Sequence, residues 1–170
     1  SPWNTGGFSL SDAIKNFQCL YRDDLCIHEM AFIKSVKIAL NTRLKDEKII
    51  LIDIGGGSGS FYGFLKSYFG DYLDKIDYRL VDQESLCRVG EHSFGNDASF
   101  LTFPIDQNGV NKEAFAALNG RLIIHLSSTL EFIEGWEAFL ESIVQLKPFI
   151  ITISRHITPD YASEVAFARQ

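Results

Sequence analysis

Positive charge is scarce in this sequence: 16 Lys and Arg face 22 Asp and Glu, giving a net charge of −6 and a pI near 5.2. Such a chain has no general field to draw it to DNA, RNA or an anionic membrane, and no run of Lys or Arg marks a local basic patch. Long apolar runs are missing too. The longest, around Ile49–Ile54, is strand-sized, far from the roughly 20 residues of a membrane span. The N-terminus lacks the basic stretch and apolar segment of a signal peptide. Cysteine is limited to Cys19, Cys26 and Cys87. Their odd number and the gap between the first two do not suit a zinc site, so no metal is expected. Reduced, buried thiols in a cytoplasmic protein are the expectation. Against these absences stand 170 residues that are 46% apolar and 22% charged, the composition and length of one globular domain.

The stretch Ile49-Ile-Leu-Ile-Asp-Ile-Gly-Gly-Gly-Ser-Gly-Ser60 organises the rest. An unbroken aliphatic run predicts a strand buried on both faces of a parallel sheet. Gly55, Gly56, Gly57 and Gly59 predict a turn that accepts positive φ and lets a ligand lie against bare backbone, with Ser58 among them. Phe61, Tyr62, Phe64, Leu65, Tyr68 and Phe69 have helical period, and Gly70 is placed to end that helix. Strand, glycine turn and helix form the first unit of a nucleotide-binding α/β sheet. No Gly-Lys-Ser/Thr follows, which excludes a P-loop. Ser60 is an imperfect match to the small residue that closes the dinucleotide fingerprint. Asp53 would repel a pyrophosphate and favour a cationic ligand.

The remaining elements alternate. Residues 1–45 form an N-terminal helical segment, with a strong helix from Ile27 to about Leu44 whose stripe is Ile27, Met30, Ala31, Ile33, Val36, Ala39 and Leu40. Residues 46–170 form the core. Ile76–Val81 is a second strand that ends at Asp82-Gln83-Glu84. A carboxylate there can accept both hydroxyl protons of an unphosphorylated ribose; Asp82 is favoured and Glu84 held in reserve. Ser85 to about Glu91 is a short helix at best, weakened by Gly90. Ser99–Phe103 is a third strand, halted by Pro104 and followed by Asp106. Asn111–Leu118 is a compact helix closed by a left-handed cap at Asn119-Gly120. Arg121–Leu126 is the fourth strand. Ser127 then stands before the longest helix, and Ser128 and Glu131 make its capping box. Phe149–Ile153 is the fifth strand, followed by Arg155 and His156. Strands alternating with helices predict a doubly wound, mainly parallel sheet, with the site beyond its carboxyl ends.

Asp53-Ile-Gly-Gly-Gly-Ser-Gly resembles motif I of the class I, Rossmann-like S-adenosylmethionine (SAM) methyltransferases, and the resemblance runs from about residue 45 to residue 156. More narrowly, Trp3, the motif I stretch, Val81-Asp82 and His125-Leu-Ser-Ser-Thr-Leu-Glu-Phe-Ile133 are similar to bacterial methyltransferases associated with surface-polysaccharide biosynthesis. The resemblance implies SAM as cofactor and S-adenosylhomocysteine as product. It implies a cofactor site of Asp53, Gly55, Gly56, Gly57, Ser58, Gly59, Asp82, Gln83, Asp106 and Ser127, with Asp106 either toward the adenine amino group or a turn former before Gln-Asn-Gly. The expected acceptor is a small molecule or saccharide, with no nucleic acid or membrane partner and a homodimer left open.

Two features depart from the family. Its sheet ends in an antiparallel hairpin, of which only Ala162–Arg169 remains here, so the chain is trimmed or the sheet abbreviated. No Asn-Pro-Pro-Tyr or Asp-Pro-Pro-Tyr follows the fourth strand, which argues against methylation of nucleic-acid bases. A hydroxyl acceptor would profit from a general base, and His125 and His156 are the candidates; the plainer account makes His125 a buried strand residue and His156 a surface loop residue. A non-catalytic SAM binder and an NAD-dependent oxidoreductase are the competing readings.

Overall fold

Strand β1, Ile49–Ile54, is buried along its whole length because it has a parallel neighbour on each side: β2, Ile76–Val81, and β4, Arg121–Ser127. The protein, as a computed structural model, is described over residues 27–95, 98–101, 119–154 and 166–169. Strands β3 (Ser99–Leu101), β5 (Ile150–Ser154) and β6 (Ala166–Arg169) complete one sheet of order β3-β2-β1-β4-β5-β6. The first five strands run parallel, and β6 pairs antiparallel with β5. Helix α1 is Ile27–Thr42, α2 is Ser60–Phe69, α3 is Glu84–Phe94 and α4 is Trp136–Val144. This is the doubly wound α/β architecture, and its winding reverses between β1 and β4, where such sheets open a ligand crevice.

Side chains in register on neighbouring strands point to the same side. One face carries Ile49, Leu51, Tyr78, Leu80, Ile123 and Ile150, and it packs on Phe32, Val36 and Ala39 of α1 and on Phe61, Phe64 and Leu65 of α2. The other carries Ile50, Ile52, Ile54, Ile124, Leu126 and Ile151, against Ile133 and, from α4, Phe139 and Ile143. At the amino ends of the strands Arg121 ties α1 down. Its Nη1 donates to Thr42 Oγ1 at 2.7 Å, its Nη2 pairs with Glu47 at 3.0 Å, and its guanidinium lies 4.3 Å from the Phe149 ring centroid. Anchored there, α1 runs back so that Phe32 reaches the carboxyl half of β4.

Several local expectations are corrected. The buried face of α1 is Ala31, Phe32, Ser35, Val36 and Ala39, whereas Met30 is 49% exposed. Gly70 does end α2, which stops at Phe69, but it does so in the right-handed region with φ −48°, and the chain continues as 3-10 helix through Lys75. Helix α3 runs the full 11 residues from Glu84 to Phe94, with Gly90 buried within it. Gly120 does not have a positive φ. Gly120 is needed for close approach instead, since a Cβ there would sit 2.6 Å from Lys48 O. The helix foreseen at 111–118 lies outside the described residues. No capping box forms at Ser128. Leu130–Phe132 is a 3-10 turn, and α4 begins only after Gly135, whose φ of 70° turns the chain.

Candidate functional site

The glycine turn is held by its neighbours as much as by its own sequence. Gly55, Gly57 and Gly59 have φ of 74°, 65° and 93°, values that L side chains rarely adopt. The Gly55 amide donates to Val81 O at 2.8 Å, and the Gly57 amide donates to Asp82 Oδ2 at 2.7 Å. Asp82 Oδ1 accepts from the Gln83 amide at 2.6 Å. The carboxylate at the tip of β2 therefore staples the loop at the tip of β1. Each of its oxygens keeps a further lone pair, as hydroxyl groups of a ribose would need. Burial pushes the Asp82 acid up to about 6, although the two amides favour its anion. A Cβ on Gly57 would meet nothing within 4 Å, so that side of the loop is open.

Asp53 does not face that opening. It is 0% exposed, lies beneath the loop, and accepts a hydrogen bond from Tyr78 Oη at 2.6 Å. A Cβ on Gly56 would fall 2.3 Å from Asp53 Oδ2, so the loop rests directly on this carboxyl. Burial raises its acid to about 7; the Tyr78 hydrogen bond opposes the shift and the nearby Asp82 charge adds to it. As placed, Asp53 is engaged by Tyr78 and supports the loop from beneath. Asp53 Oδ1 and Ser58 Oγ are buried without a hydrogen-bond partner among the described residues.

His125 is paired in register with Asp53 on one side and Thr152 on the other, and all three are 0% exposed. Its ring is clasped edge-on between Phe32 at 4.9 Å and Phe61 at 4.4 Å. A general base must reach the proton it takes, and His125 as placed points into the α1–α2 face, not the crevice. The other expected base, His156, and the expected adenine contact, Asp106, lie outside the described residues. The fold does bring together the loop, Asp82, Gln83 and Ser127, since β2, β1 and β4 are adjacent. Gln83 is half-buried and Ser127 is 8% exposed.

Sequence reasoning passed over Tyr78 and Thr129. Tyr78 had a signal, because strand alternation puts it on the same face as Leu80 and one residue pair from Asp53. Thr129 is 3% exposed, and its Oγ1 lies 2.9 Å from both Ile54 O and Ser127 O. Its location in Ser-Ser-Thr gave no hint of that contact.

No family model matches the sequence, and no curated protein does. Solved structures match by fold. The CurJ carbon methyltransferase superposes with a TM-score of 0.66 at 18% identity, over 85% of this chain and 39% of that one. The DszA carbon methyltransferase gives 0.60 at 15% identity, over 78% of this chain and 36% of that one. Magnesium protoporphyrin IX methyltransferase from Synechocystis PCC 6803, solved with bound SAM, gives 0.52 at 14% identity, over 88% and 72%. The chain has the Rossmann-like α/β fold of these methyltransferases. It spans well under half the length of the two carbon methyltransferases.

Proposed function

We propose that this chain is the cofactor-binding domain of a SAM-dependent methyltransferase that methylates an oxygen of a small molecule or saccharide in the cytoplasm, as a monomer or homodimer. The observation that carries the reading is the staple between Asp82 and the Gly57 amide, which sets an open backbone turn beside an anionic strand tip at the point where the winding reverses. The residues present fit the cofactor: Asp82 has lone pairs for the ribose hydroxyls, and Gly57 offers unobstructed backbone. Buried Asp53 and Asp82 supply negative potential that suits a sulfonium and an ammonium. When bound, SAM supplies the electrophilic methyl group. The protein's part is to hold donor and acceptor in line and exclude water. The similar fold of structures solved with SAM supports this reading, and the likeness to polysaccharide-associated enzymes favours a saccharide acceptor.

Binding without catalysis is the second reading. The clasp of His125 between Phe32 and Phe61 favours it, because it turns that imidazole into the α1–α2 face. Thermal-shift titration tests the first step. S-adenosylhomocysteine at a hundredfold excess over its Kd should add about 2.7 kcal/mol, or roughly 5–10 °C in Tm. Asp82→Ala protein that still folds should lose this shift. Stabilisation by NAD alone would overturn the proposal. Release of S-adenosylhomocysteine from SAM with hydroxylated acceptors then separates enzyme from binder.

A further inference from the structure

Three strand tips are joined at two consecutive residues, Ser128 and Thr129, that neither the motif nor the fold class singles out. After β4 the chain makes a left-handed bend at Ser128, whose φ is 50°, a conformation that costs a non-glycine residue energy and recurs at functional sites. The Ser128 amide donates to Ser154 O of β5 at 3.0 Å. The bend throws Thr129 back over the tip of β1. Its buried hydroxyl, with one proton to give, sits 2.9 Å from the Ile54 carbonyl that opens the glycine turn and 2.9 Å from the Ser127 carbonyl. Its side chain also fills the space beside Gly55. A Cβ at Gly55 would lie 2.2 Å from Thr129 Oγ1 and 2.7 Å from Cγ2. The Thr129 carbonyl accepts from the Phe132 amide at 3.0 Å, so the same residue starts the 3-10 turn that follows β4.

We infer that Thr129 is a positioning residue that locks the conformation of the glycine turn to the segment after β4, so that the cofactor cradle and the wall beside it move as one. The part of this inference that concerns ligand affinity rests on reading the turn as a SAM cradle; the mechanical coupling does not. Gly55 then has a second reason to be glycine besides its φ of 74°: Thr129 occupies the place of a side chain. Losing the hydroxyl leaves the Ile54 carbonyl without this donor and lets the first residue of the turn drift. Misplacement of a preorganised cradle weakens binding even in protein that is fully folded.

Two measurements on the 170-residue chain separate these parts. The first is a double-mutant cycle in urea with Gly55→Ala, Thr129→Ala and both together. Thr129→Ala removes the two nearest atoms, while the backbone strain of alanine at residue 55 is common to both backgrounds and cancels. Gly55→Ala should lower the urea midpoint clearly less in the Thr129→Ala background than in the wild type. An additive cycle would overturn the coupling. The second is calorimetric titration with S-adenosylhomocysteine well below each Tm. Thr129→Val, which keeps the shape and removes the hydroxyl, should weaken binding about fivefold to tenfold, and Thr129→Ser should stay within about threefold of wild type. A Thr129→Val protein with lowered Tm but wild-type affinity would show a purely structural role and overturn the positioning claim. Should wild type itself not bind, the cofactor reading fails while the urea cycle still judges the coupling. If Gly55→Ala does not fold, Thr129→Ser and Thr129→Val carry the test.

Discussion

The two faces of the sheet are built differently at their carboxyl ends. Beneath α4 the face is aliphatic to the tip, with Ile54 and Leu126 buried next to one another in register. Beneath α1 and α2 it is apolar at Ile49 and again where Leu51 pairs with Ile123, and then turns polar at Asp53, His125 and Thr152. All three of those residues are 0% exposed. Burying polar groups without full pairing costs stability, and Asp53 Oδ1 and Thr152 Oγ1 have no hydrogen-bond partner among the described residues. A fold that needed only a core would repeat the aliphatic face twice. The polar row lies under the glycine turn, where its cost is matched to a site, while the α4 face supplies plain cohesion.

If that division is right, the largest effect belongs to the aliphatic face and should not depend on pH. Ile124 is 0% exposed at the centre of the sheet, so its neighbours cannot collapse into a cavity. Ile124→Ala should cost about 4 kcal/mol, by urea unfolding, equally at pH 5 and pH 8. A loss that varied with pH would mean the two faces are coupled.

The polar face should show the opposite behaviour. Asp53 is raised to about 7 and Asp82 to about 6, both above their ordinary value of 3.8. A raised folded-state value means that the folded protein holds its proton more tightly. The associated stability is fully present below the unfolded value, near pH 4, and is lost as pH rises through about 6 for Asp82 and about 7 for Asp53. From pH 5 to pH 8 the ligand-free protein should lose about 2–3 kcal/mol through Asp53 and about 1 kcal/mol through Asp82. Asp53→Asn, which keeps an acceptor for Tyr78, should remove the larger part. Affinity for a cationic ligand should run the other way, rising with pH as the carboxyls ionise. A flat stability profile between pH 5 and pH 8 would show that the row is not titrating as placed.

This contrast explains what the sequence could reveal. β1, the glycine turn and α2 were legible because apolar run, glycine cluster and helical period are all local, and Asp82 followed from its place at the end of the second strand. The direction in which Asp53 faces was not legible, since Ile-Ile-Leu-Ile-Asp-Ile is apolar on both sides and does not say which helices cover which side. Thr152 read as a strand residue and His125 as a strand residue or a base, and only strand register sets them beside Asp53. In α1, apolar residues stand nearly all around the helix, so its period could not choose Phe32 over Met30; the sheet beneath it chose. Thr129 depended on the left-handed bend at Ser128, a conformation no local pattern of Ser-Ser-Thr demands.

The smallest effect is the sharpest probe of the polar row. Tyr78 Oη is the one donor to Asp53 among the described residues, and the pairing also holds the phenol in its own protonated form, well above its ordinary range, through burial first and the Asp53 charge next. Tyr78→Phe keeps the ring and its stacking on Tyr62, 5.1 Å away, and deletes the hydrogen bond. At pH 8, where Asp53 is ionised, the variant should lose about 1–2 kcal/mol, because a buried carboxylate is left without its donor. At pH 5 the carboxyl is protonated in both proteins, so most of that loss should vanish. Equal losses at the two pH values would mean that Tyr78 only fills space and that the charge beneath the glycine turn is held by something else.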